Sequence, residues 1–204
     1  MIYTAIDAET TGFSKVYDSP VSLAYLSFNE KWEVLDSGIL YFDDDSICNS
    51  TPQAFAVHGL TRDFLSKFRG DFERNNRKLF KLIERGNLIG HNIQSFDVPF
   101  LSAYLRRQGF SEETQSESKN NVPDRPIPLR IIDTRSIYRP IFHKGLTLDD
   151  LLEKAGIPDI IIRNVLRKHF GDEAVNSGHH DARYDTVAAY LLFQYAVEKG
   201  YATL

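Results

Sequence analysis

The chain opens on IYTAID, a short apolar and β-branched run of strand character that stops in the turn-forming Thr10-Thr11-Gly12. Two further runs, VSLAYLSF and VLDSGILYF, have the same character. The Asn29-Glu30-Lys31 stretch between them predicts a tight connection and an antiparallel hairpin. Near 71–85, Phe72, Leu79, Leu82 and Ile83 recur among charges, the pattern of an amphipathic helix. Asn87 to Gly90 is short and apolar enough for a buried strand. Ser95 is placed to cap a helix running to about Gln108, which Gly109 would stop. LRIIDT resumes as a strand, LTLDDLLEKAG reads as a helix capped by Thr147, and Asp181 to Lys199 as a long terminal helix. Strands alternating with helices after an early hairpin predict an α/β fold with a mixed sheet.

Composition narrows the class. Apolar residues make up 42% of 204 and charged residues 25%, which suits a globular chain and excludes collagen-like or low-complexity architecture. Residues 111–128 hold three prolines and no aromatic residue, so a mobile loop is expected there. The single Cys48 cannot form an internal disulfide or a cysteine zinc site and fits a reducing, cytoplasmic setting. No apolar run is long enough to span a bilayer, and no secretory signal opens the chain, so no membrane partner is expected.

A net charge of −4 argues against a protein that coats nucleic acid non-specifically. The charge is unevenly spread, with nine acids and two bases up to Thr61 but eight bases and four acids from Arg62 to Arg85. That block could meet a polyanion or form a solvated helix face. Asp43, Asp44 and Asp45 follow a strand and read as an exposed loop.

The acids elsewhere carry more information. Asp7 and Glu9 sit two apart at the end of a strand, so both side chains share one face. Asp97, Phe100, Leu101, Tyr104 and Leu105 form one helical stripe, and Asp185, Ala188, Ala189, Leu192, Phe193 and Ala196 form another. Each stripe turns an acid inward at its N-terminal end, where the helix dipole tolerates it, and neither carries Lys or Arg. A buried unpaired carboxylate is costly, several kcal/mol or more, so a bound cation is expected. Four hard oxygen donors select Mg²⁺ or Mn²⁺ over zinc. Two such ions about 4 Å apart suit in-line displacement at phosphorus. His180, five residues before Asp185, could take a proton from the attacking water, with His179 as competitor.

DAETTG, HNIQSFD and HDARYD, in that order, resemble the three motifs of the DnaQ-like 3′–5′ exonuclease superfamily. TPQAFAVHGLT and LTLDDLLEKAGI are similar to segments of the proofreading epsilon subunit of bacterial DNA polymerase III and its relatives. The resemblance runs from Ile2 to about Val197 and implies one exonuclease domain over 1–204. It implies a ribonuclease H-like α/β fold whose five-stranded mixed sheet, its second strand antiparallel, is flanked by helices. Asp7, Glu9, Asp97 and Asp185 would ligate two Mg²⁺, with Mn²⁺ as substitute. Asp181 stands where another branch has tyrosine, so His180 becomes the general base of the histidine (DEDDh) branch. Thr10, Thr11 and Gly12 would approach the terminal nucleotide through backbone groups, with Phe13 near its base. Gln53, where epsilon has glutamate, and His58 match substrate contacts. Phe13 and Phe96 suit base stacking or core packing equally. His91 and Asn92 organise the second motif by hydrogen bonds, and Asn92 joins the candidate substrate contacts.

The activity implied is release of nucleoside 5′-monophosphates from nucleic acid 3′ ends, with DNA, single-stranded or frayed, favoured. An exoribonuclease or oligoribonuclease on the same scaffold, a polymerase-bound proofreader and a non-catalytic nucleic-acid-binding module are the alternatives.

Overall fold

The computed structural model describes residues 1–43, 50–84, 86–110, 128–143, 146–176, 178 and 180–204. Of the loop expected over 111–128, residues 111–127 lie outside the described residues, as do Asp44, Asp45, Cys48 and His179. Strands β1 (Ile2–Thr10), β2 (Pro20–Asn29), β3 (Val34–Tyr41), β4 (Asn87–Gly90) and β5 (Arg130–Asp133) form one sheet in the order β3-β2-β1-β4-β5. β2 is antiparallel to β1 and β3, with Ile6 opposite Tyr25, whereas β4 runs parallel to β1 and β5. This is the mixed five-stranded ribonuclease H-like sheet that the resemblance implies.

Eight α-helices among the described residues, with short 3-10 turns at Ser66–Asp71 and Asp172–Asn176, complete the fold: α1 (Pro52–His58), α2 (Arg62–Leu65), α3 (Phe72–Ile83), α4 (Asp97–Arg107), α5 (Thr134–Phe142), α6 (Leu148–Ala155), α7 (Asp159–Phe170) and α8 (Ala182–Glu198). They divide the core between the two faces of the sheet. Tyr3 and Ala5 pack with residues of α5 to α8, while Ile6 packs with α3 and α4. The two-residue period of β1 therefore turns Asp7 and Glu9 toward the α8 face. Along α8 the stripe Ala188, Ala189, Leu192, Phe193 and Ala196 is at most 1% exposed, which fixes the helix rotation that presents Asp185. The hairpin turn is pinned to the same face: Trp32, at φ 64°, stacks on Phe28 at 5.2 Å and meets Phe193 edge-on.

The cap of α6 is as expected, with Thr147 and Asp150 forming a reciprocal capping box. At α4 the expectation needs correction. Ser95 lies inside a turn whose N–H bonds to the Asn92 carbonyl, and Phe96 occupies the cap position without a side-chain bond. The turn's polar groups are instead collected by Asp133, which accepts the main-chain N–H groups of Asn92 and Gln94. Asp43 also departs from its exposed-loop reading. It is 5% exposed, and its carboxylate accepts Arg69 Nε at 2.8 Å.

Gly90 ends β4 where the chain turns into the second motif. A Cβ there would lie 2.9 Å from the Ile93 side chain and 3.0 Å from the Ile6 carbonyl, and the carbonyl belongs to a central strand. Gly90→Ala is expected to lower stability by about 1–3 kcal/mol, read from the urea midpoint at unchanged m-value. An unchanged midpoint would show that the two backbones can part freely.

Candidate active site

Three elements deliver acids to one end of the sheet. β1 brings Asp7 and Glu9, and the first turn of α8 brings Asp185. The carboxylate oxygens of these three lie within 4.8 Å of one another. The first residue of α4 is Asp97, 5% exposed, whose carboxylate accepts hydrogen bonds from the main-chain N–H groups of Ala8 and of Asp97 itself.

Burial and mutual repulsion govern their protonation. Asp7 is pushed well above the usual carboxylate range by burial first, then by the charges of Asp185, Asp97, Glu9 and Asp181. Glu9 is raised to about 8 by burial, with Asp185, Asp181 and Asp97 adding to it. Asp97 is raised to about 7, again mainly by burial, and its two main-chain hydrogen bonds pull the other way. Every charge that shifts Asp7 and Glu9 is another carboxylate. Such a group of oxygens can share protons, or it can hold hard divalent cations.

His180 sits where α8 begins. Its backbone is left-handed, at φ 68°, a conformation worth about 1–3 kcal/mol of strain in a non-glycine residue. It is held by its N–H, which donates to Asp185 Oδ2 at 3.2 Å. The next residue, Asp181, caps α8 by accepting the Arg183 N–H and forms a two-point pair with the Arg183 guanidinium. The exposed His180 thereby lines two cavities. One, of about 500 Å³, is shared with Asp7, Asp185, Asn92 and Arg135. The other, of about 250 Å³, is shared with Glu9, Tyr41, His58 and Phe64.

The turn after β1 is closed by its own side chains. Thr10 Oγ1 donates to the Gly12 carbonyl, and Thr11 donates its hydroxyl to Asp18 while accepting the Ser19 N–H. The main-chain N–H and carbonyl of Thr11 are bonded to Ser19 and Thr51. Asp18 also accepts the Ser14 N–H, and the Arg107 guanidinium clamps the carbonyls of Lys15 and Asp18. Thr10, Thr11 and Gly12 are thus buried and shape the turn, while Phe13 projects from it, 80% exposed. Phe13 meets half-buried Phe96 edge-on at 5.9 Å, and Phe96 packs on Phe100 at 5.5 Å. The ring next to the first motif therefore touches the ring next to Asp97.

Gln53 lies on the exposed face of α1. His58 ends that helix, its Nδ1 accepting the Leu60 N–H at 2.9 Å; its buried Nε2 has no partner among the described residues. Nε2 consequently carries the proton, and burial lowers the imidazole below its ordinary value. His91 Nδ1 lies 3.1 Å from the Thr134 hydroxyl, which donates to the Gly90 carbonyl. Asn92, at φ 61°, accepts Arg135 Nη1 at 3.1 Å.

Asp133 and Arg135 had no role assigned from the sequence, and Asp181 served there only to distinguish the branch. Asp133 adds its charge to Asp97 and braces the second motif. The signal for Asp133 was its place at a strand-to-helix junction, where a capping aspartate is favoured.

Comparisons with known proteins agree with this geometry. The family model RNase_T, described as exonuclease, matches residues 4–160. A PolC-type DNA polymerase III of Pediococcus pentosaceus is 26% identical over 159 residues, which is 76% of this chain but 10% of that protein. In three dimensions the chain resembles Escherichia coli exonuclease I in complex with a dT13 oligonucleotide, at a TM-score of 0.64 and 18% identity, covering 96% of this chain and 40% of that one. A moderately thermophilic exonuclease I from Methylocaldum szegediense gives 0.64 and 16%, covering 97% and 40%. This chain spans well under half the length of these relatives. No helix among the described residues is long and apolar enough to cross a membrane. With three motifs in order, the sheet they require and a family match over most of its length, the chain belongs to the exonuclease family of the DnaQ-like superfamily.

Proposed function

We propose that this protein is a 3′–5′ exonuclease that releases nucleoside 5′-monophosphates from the 3′ ends of DNA, acting as one domain over 1–204. The observation that carries the reading is the meeting of the half-buried Asp7, Glu9 and Asp185 carboxylates, the first two held protonated more readily by burial and by their acidic neighbours. Oxygen-only donors fit two Mg²⁺, or Mn²⁺ in their place, held by Asp7, Glu9, Asp97 and Asp185. When bound, such ions steady the attacking and departing oxygens of an in-line displacement.

The chain's own residues supply the rest. His180, between the two cavities, takes the proton from the attacking water. The exposed Phe13 ring, backed by Phe96, offers a face to the terminal base. His58 Nε2 has a hydrogen to donate on the Glu9 side, and Gln53 stands one helix length away on α1. Asn92 lines the other side. A paired terminus must unstack before it can enter, which favours single strands and frayed ends. The dT13 and dA16 oligonucleotides carried by the exonuclease I structures support DNA. The PolC-type relative supports a setting beside a polymerase.

Three outcomes are expected. Glu9 and Asp97, raised to about 8 and about 7, bind protons more tightly folded than unfolded. Their contribution to stability is complete below the ordinary carboxylate range and is lost as pH rises through those values. In a chelator, Tm should therefore fall from about pH 6 to about pH 8. Mg²⁺ at a hundred times its Kd should restore roughly 5–10 °C at the higher pH and less at the lower, where protons compete. An Asp7→Ala chain responding to Mg²⁺ as the wild type does would remove Asp7 from the ligand set.

With saturating Mg²⁺, kcat should rise with pH, as general-base catalysis by a histidine requires. His180→Ala should flatten that climb and lower kcat by roughly 10²–10⁴-fold. His180→Gly should do the same at no cost in Tm, since glycine suits the left-handed backbone. A full pH climb in either variant would assign the base elsewhere.

Finally, 5′-labelled DNA and RNA of one sequence should both be tested for shortening from the 3′ end. Preferential shortening of DNA is the expected result. Preference for RNA would assign the enzyme to exoribonucleases, and tight end-binding with no shortening would make it a binding module.

A further inference from the structure

The larger cavity at His180 is lined by Asp7, Asp149 and Asp185, all of which repel a polyanion, and by the guanidinium of Arg135. Arg135 is exposed, yet it is tied at both ends. Its main-chain N–H donates to Asp133 Oδ1 at 3.0 Å, and its Nη1 donates to Asn92 Oδ1 at 3.1 Å. Asp133 also accepts the N–H groups of Asn92 and Gln94, so the segment leading to Asp97 also fixes where the guanidinium stands. One of five N–H donors is taken by Asn92, and a fork suited to a phosphate remains.

Its place is set by the second motif. Arg135 is bonded to Asn92, its charge opposes protonation of His91, and all three line the cavity. A 3′-terminal nucleotide has nothing beyond it on its 3′ side, so any second phosphate in the cavity lies 5′ of the scissile bond.

On the exonuclease reading above, we infer that Arg135 binds the phosphodiester one step 5′ of the bond being cut and so holds the strand in register after each release. It acts in substrate binding and takes no part in the bond-breaking step. The rival role, bracing Asn92 alone, would affect every substrate equally.

The test uses the full chain with Mg²⁺ and two substrates. One is a 5′-labelled oligodeoxynucleotide. The other is thymidine 5′-(4-nitrophenyl phosphate), which has the scissile ester and no second phosphate. Arg135→Gln should raise KM for the oligonucleotide roughly 10-fold or more at nearly constant kcat. The plot of log(kcat/KM) against log salt should become shallower by about 0.7, the loss of one single-strand phosphate contact. Hydrolysis of the nitrophenyl ester should stay within about twofold, and Arg135→Lys should retain part of the oligonucleotide affinity. An unchanged oligonucleotide KM and salt slope would overturn the inference, as would an equal loss on both substrates. A wild-type chain that cuts neither substrate removes the exonuclease reading itself, and this inference with it.

Discussion

Carboxylates crowded into a water-poor spot repel one another, and this repulsion is the constraint around which the end of the sheet is organised. Burial raises Glu9, and its acidic neighbours raise it further, to about 8. The protein accepts this cost because each acid is anchored in an element that cannot rotate away. Asp7 and Glu9 are fixed by the pairing of β1 with β2, Asp7 opposite Ala24 and Glu9 opposite Ser22, while β4 holds the strand just before them, from Tyr3 to Ala5. Asp185 and Asp97 are fixed by apolar stripes sunk into opposite faces of the core. A second ring of charge steadies the arrangement: Asp181 is paired to Arg183, and Asp133 gathers the amides of the turn before α4. The acids are thus set by the same hydrophobic packing that sets the fold, and their charge is left for a ligand to neutralise.

Much of this was legible in the chain because it rests on short-range periodicity. The alternation of β1 and the stripes of α4 and α8 follow from side-chain direction alone, and each names its inward acid. What escaped had no such signature. Helix α1 buries none of its residues, so no stripe exists to be read, and only its Thr51 cap and Gly59 stop mark its ends. No element was assigned over α7, whose opening Ile160-Ile161-Ile162 run is β-branched and splits between the exposed Ile160 and Ile161 and the buried Ile162. The cap of α4 was misplaced because Ser95 has the right chemistry, but the turn satisfies its amides through Asp133, 38 residues downstream. Long-range partners of that kind leave no local trace.

The lopsided charge of the chain has a similar explanation. Of the basic residues from Arg62 onward, Arg69 pairs with Asp43, Arg74 with Asp71, Arg77 with Glu73 and Lys78 with Asp36. Two of those partners, Asp36 and Asp43, come from the acidic first third of the chain, so the two blocks that look opposed in sequence lie against each other in space. Exposed pairs contribute little stability, about 0–1 kcal/mol each, but they cancel the field that a basic block would project. In the proposed nuclease, attraction for a polyanion would fall to the cleft, where bound ions and individual cations would act over short range.

The spacing of the acids along the chain has one more consequence. Glu9 lies in β1, whereas Asp185 lies in α8, 176 residues further along. During synthesis the carboxylates of β1 wait for that intervening chain to emerge before their partner arrives. A nascent chain paused on the ribosome short of α8 therefore has no completed centre, and α8 also carries much of the packing that closes one side of the sheet. Ripening of the reactive cluster and closure of the hydrophobic interior are the same late event.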